Sequence, residues 1–102
     1  MTEQIQRIET MEQHLNRAQA AILQLEKALE QFVAVQQDVQ ALSYYYGSDD
    51  WYQDRESDEK SALPTTLRRG VLSEDLIYNL LTEYRTLNFQ LIETATAILK
   101  ES

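Results

Sequence analysis

Mostly apolar residues recur at alternating spacings of three and four along the first part of the chain: Ile8, Met11, Leu15, Ala18, Ile22, Leu25, Leu29 and Phe32, then Gln36 and Val39. This period lines one side of a helix and is the spacing of helices that pack lengthwise on other helices. No Gly or Pro precedes Gly47. The pattern therefore predicts one helix over about residues 3–45, roughly 60 Å long at 1.5 Å per residue. The stripe is narrow at first and widens where Val33, Val35 and Leu42 join Leu29, Phe32 and Val39, which calls for more neighbours there. Gln36 is a polar interruption of the seam, of the kind that fixes register between helices at some expense of stability.

Gly47 suits the left-handed residue that closes a helix, and Ser48 before Asp49 and Asp50 reads as an N-cap with carboxylates in the first turn. A short acidic helix over about 49–58 follows, then a turn over 63–72. Within that turn Leu63-Pro64 is held extended, and Arg68-Arg69-Gly70 ends the connection. Ser73, with Glu74 and Asp75, caps a last helix over about 74–100, whose stripe is Ile77, Leu80, Tyr84, Leu87, Leu91 and Ile98.

Two long helices with such a connector predict an all-α fold: a long antiparallel helical hairpin in a single domain, 1–102, with the acidic helix in its connector. Setting Leu42 beside Leu76 brings Phe32 near Leu87 and Ile22 near Ile98. Ile5, Ile8, Met11 and Leu15 are then left beyond the end of the last helix. Phe89, Ile92 and Leu99 lie away from the main stripe of the last helix and give it a second apolar side. Both surpluses require a cover. The expected cover is a second copy of the chain or another helical protein, in a homodimeric coiled coil or bundle.

The charge narrows the choice of partners. Seventeen acidic and nine basic residues give −8 over 102 residues, with half of the net charge in residues 48–62. Direct binding to nucleic acid or to an anionic membrane needs clustered cations and is not expected. The chain has no Cys and one histidine, His14. Disulfides, thiolate chemistry and a His-rich metal cluster fall away. The opening Met-Thr-Glu-Gln-Ile-Gln-Arg has no apolar signal core, and no apolar run approaches membrane-spanning length. The expectation is a soluble cytoplasmic protein without a cofactor.

Three groups of residues could carry chemistry. Tyr44, Tyr45, Tyr46, Trp51 and Tyr52 place five aromatics within nine residues, either a stacking platform or a plug where helix ends meet. Asp50, Asp54 and Asp58 repeat every four residues on one helix face beside Asp49, Glu56 and Glu59. The central glycine of a calcium loop is missing, so a solvated face is the expected role and no metal ligand is assigned. Arg68-Arg69 is the one adjacent basic pair. It could hold a phosphate near the capped start of the last helix, but an arginine tying the acidic helix to the turn is the simpler role.

The stretch Tyr45-Tyr46-Gly47-Ser48, Trp51, Asp54, Leu63-Pro64, Leu67, Arg69-Gly70-Val71-Leu72-Ser73-Glu74-Asp75 and Tyr78-Asn79-Leu80-Leu81 resembles a family of small bacterial helical proteins of unknown function. The resemblance implies a compact, cytoplasmic bacterial helical protein and brings no catalytic or binding residue with it. The resulting expectation is a non-catalytic protein-interaction or assembly module, not an enzyme, with Ile5, Ile8, Met11, Leu15, Phe89, Ile92 and Leu99 at the interface. One alternative is an acidic decoy that inhibits a nucleic-acid-binding protein. The other is small-ligand binding at a corner made by Tyr45, Tyr46, Trp51, Asp54, Arg69 and Tyr78.

Overall fold

A computed structural model describes all of residues 1–102. The fold is all-α with no strand: α1 (Thr2–Ala34), α2 (Gln36–Tyr45), α3 (Asp49–Glu59), a 3-10 turn (Gly70–Leu72) and α4 (Glu74–Glu101). No helix is long and apolar enough to cross a membrane. The chain divides into two units, residues 1–37 and 38–102.

The first unit is essentially one helix, and no residue of α1 is buried. The helix expected over 3–45 is interrupted at Val35, where ψ opens to 0° and the backbone N–H bonds to Gln31 O. Nothing there forces a stop. The β-branched Val33 and Val35 flank Ala34, and such side chains lose χ1 freedom against the preceding turn, which weakens the helix locally. Gln36 consequently opens α2 instead of interrupting a continuous seam.

The second unit is built from its caps inward. Gly47 has φ +79°, the left-handed conformation that lets the chain turn out of α2. Ser48 Oγ accepts from Trp51 N–H at 3.2 Å and starts α3. At the other end of α3, Ala62 N–H bonds to Ser57 O and Ser61 N–H to Asp58 O. That is a Schellman closure with Ser61, at φ 55°, in the place glycine usually takes. Ser73 Oγ accepts from Asp75 N–H and starts α4. Leu72, just before this cap, and Ile77, four residues after it, are both buried. Their positions are those of a hydrophobic staple, which fixes the angle at which the chain enters the helix.

Trp51 joins Leu72 and Ile77 as the three buried apolar side chains of the molecule. The 3-10 turn packs on both α3 and α4, so this small core sits where the three elements meet. Leu42 and Leu76, which the apolar pattern aligns, line one hollow of about 330 Å³ together with Ile77 and Leu80.

Candidate functional site

The aromatic run between α2 and α3 forms a structured corner. Trp51 is 3% exposed, and its indole N–H donates to Val71 O at 2.9 Å. Tyr46 and Tyr52 meet the indole edge-on, with centroids at 4.9 and 5.1 Å, an arrangement that suits the ring quadrupoles. The Tyr46 hydroxyl donates to Glu74 O at 3.1 Å. Tyr44 projects away and is exposed.

Arg55 stands four residues after Trp51 and therefore on the same side of α3. Its guanidinium carbon is 4.7 Å from the indole centroid while Nη1 reaches Glu74 Oε1 at 2.9 Å. One cation thereby binds the indole face to the start of α4. The i,i+4 spacing from Trp51 was the signal in the sequence for this role, and it singles out a residue absent from the expected site.

The acidic face of α3 is partly engaged. Tyr45 Oη donates to Asp54 Oδ2 at 2.5 Å. Partial burial first, then this bond and the negative charges of Asp54 and Asp50, push the Tyr45 hydroxyl up to about 12 from 10.0. Asp58 Oδ1 accepts from Arg69 Nη1 at 2.7 Å, tying α3 to the turn. Two members of the expected solvated face, Asp54 and Asp58, thus have internal partners and are only part-exposed. No group of three or more carboxylates and histidines is gathered as a metal site.

Tyr78 makes no hydrogen bond and no ring contact with this corner. Ile77 faces the core, and one residue along a helix turns the side chain by about 100°, so Tyr78 is 58% exposed. It lines an open groove of about 710 Å³ with Ser43 of α2 and Leu81, Arg85, Phe89 and Ile92 of α4. Arg85 lies over the Phe89 ring at 5.3 Å. The corner therefore unites Tyr45, Tyr46, Trp51, Asp54 and Arg69 through α3 and the turn, whereas Tyr78 belongs with two of the expected interface residues, Phe89 and Ile92.

The remaining interface residues are open. Ile5, Ile8, Met11 and Leu15 lie along α1, each with about half its surface accessible, and Leu99 is more exposed still. Within the corner the indole N–H, two tyrosine hydroxyls and one N–H of each of two arginines bond to one another's elements, and no buried side-chain polar atom lacks a partner. Its chemistry is that of a clasp.

Residues 8–94 match the family described as Domain of unknown function (DUF4298). Comparison with curated proteins and with solved structures finds no match.

Proposed function

Because the chain belongs to the DUF4298 family of domains of unknown function, whose description assigns no chemistry, we propose a role from its surfaces: a non-catalytic module of protein assembly. It completes its apolar core against a helical partner, with a second copy of the chain as the first candidate. The observation that carries this reading is the ratio of covered to uncovered apolar side chains. Trp51, Leu72 and Ile77 are buried, while Ile8, Met11, Leu15, Ile22, Phe89 and Ile92 each leave half or more of their surface open. Burying a large aliphatic or aromatic side chain is worth about 1.5–3 kcal/mol. A partner that covers several of them supplies stabilisation that three buried residues do not.

The closed hydrogen bonding of the aromatic corner supports a structural over a catalytic role, and a hairpin of the long helices, extended into a bundle by the partner, is the arrangement the reading calls for. Melting followed by circular dichroism across a range of protein concentrations tests it. Assembly coupled to folding makes the melting temperature rise with concentration. A concentration-independent transition, together with capture of no helical protein from cells, contradicts the reading. A captured basic protein released steeply by salt favours the decoy alternative instead.

A further inference from the structure

The exposed side of α4 carries a second seam, next to the stripe that includes buried Ile77. It runs through Tyr78, Thr82, Arg85, Phe89 and Ile92 and continues to Thr96 and Leu99, with spacings of four and three throughout. The four apolar members, Tyr78, Phe89, Ile92 and Leu99, are all more than half exposed. The groove lined by Tyr78, Arg85, Phe89 and Ile92 follows its first two-thirds. Seven residues per two turns is the repeat that keeps one helix facing another along its length, so the occupant this surface fits is a helix with the same repeat.

Charge selects both the occupant and its direction. Arg85 is the one ionised residue in the seam, and it needs a carboxylate if it is to lose water. In a parallel pair of α4 helices, every residue faces its own copy and Arg85 meets Arg85, which is repulsive. In an antiparallel pair with Phe89 opposite Ile92, the register sets Arg85 opposite Thr96 and Thr82 opposite Leu99. Glu93 of the second copy then lies one turn from that Thr96, within reach of the guanidinium. The two-fold axis repeats each contact, as an isologous interface requires.

We propose that α4 of this chain pairs antiparallel with α4 of a second copy, with Phe89 against Ile92 and Arg85 against Glu93 across the two-fold axis. This inference rests on the assembly reading and names the partner and the surface. It leaves the Ile5–Leu15 part of α1 as a separate surface.

Cysteine cross-linking of the full chain tests it, since the native sequence has no cysteine. Thr82 and Leu99 are seventeen residues apart in the sequence, roughly 25 Å along the helix, too far for a disulfide within one chain. Thr82→Cys/Leu99→Cys, which leaves Arg85 and Glu93 in place, should give a covalent dimer on non-reducing electrophoresis under mild oxidation, and neither single variant should. Cross-linking by a single variant indicates a parallel pair and overturns the proposal. A dimeric wild type whose double variant stays uncross-linked overturns the α4 pairing while the assembly reading stands. A monomeric wild type also overturns it, and leaves a different helical protein as partner. Charge reversal gives a second arm independent of disulfide geometry: Arg85→Glu should abolish the dimer at a concentration where wild type is dimeric, and Arg85→Glu/Glu93→Arg should restore it. Unchanged dimerisation of Arg85→Glu contradicts the pairing.

Discussion

The Trp51 indole N–H donates to the Val71 carbonyl at 2.9 Å across twenty residues of sequence, and this bond locks α3 to the turn that starts α4. Trp51→Ala removes the largest of three buried side chains. A loss of about 3–5 kcal/mol is expected for such a truncation, enough to unfold a unit with so small a core. Trp51→Phe keeps a ring but leaves Val71 O without its donor, for a loss nearer ~1–3 kcal/mol. Urea denaturation of the two variants should rank them in that order. Tyr78→Ala, at an exposed position of α4, should change stability far less than Trp51→Ala.

Ser61 occupies the left-handed position of the α3 closure at φ 55°. A β-carbon there costs roughly 1–2 kcal/mol, partly offset by the greater chain entropy glycine loses on folding. Ser61→Gly should therefore raise the melting temperature modestly. Gly47→Ala, at φ +79° with open space around it, should lower it for the same reason.

Tyr45 makes stability depend on alkaline pH. Its folded pKa, about 12, lies above the ordinary 10.0, so the fold favours the neutral phenol. That contribution is complete below pH 10 and is lost as pH rises toward 12. Urea midpoints should fall across this window in the wild type and fall less in Tyr45→Phe. Equal slopes for the two proteins would remove Tyr45 from the account.

Leu15 lies on the α1 seam, with half its surface accessible. On a helix left uncovered, Leu15→Asp costs only its difference in helix propensity, roughly 0.5–0.7 kcal/mol. Within an interface it strands a carboxylate in an apolar contact. Sedimentation should show Leu15→Asp weakening association much more than Gln13→Asp, placed off the seam. Equal effects would take the α1 seam out of the interface.

Local rules made much of the second unit legible. Ser48 and Ser73 cap their helices, Gly47 adopts the left-handed turn, and Arg69 ties the acidic helix to the turn through Asp58, because each depends on residues close in sequence. The break at Val35 was hidden, since the sequence there holds no residue that must end a helix. Tyr78, an expected corner residue, is exposed beside buried Ile77, because one step of helix separates a core position from an open one. The staple of Leu72 and Ile77 around Ser73 and the Arg55 partner of Trp51 had signals in the spacing that the apolar stripe alone does not reveal.

The molar mass of the full chain in solution, measured by light scattering during size exclusion at tens of micromolar, bears most directly on the assembly proposal. Twice the chain mass of 11.9 kDa, or a higher multiple that falls on dilution with the helical signal, is the predicted result. A fully helical, stable species of 11.9 kDa at every concentration would contradict self-assembly through the exposed seams.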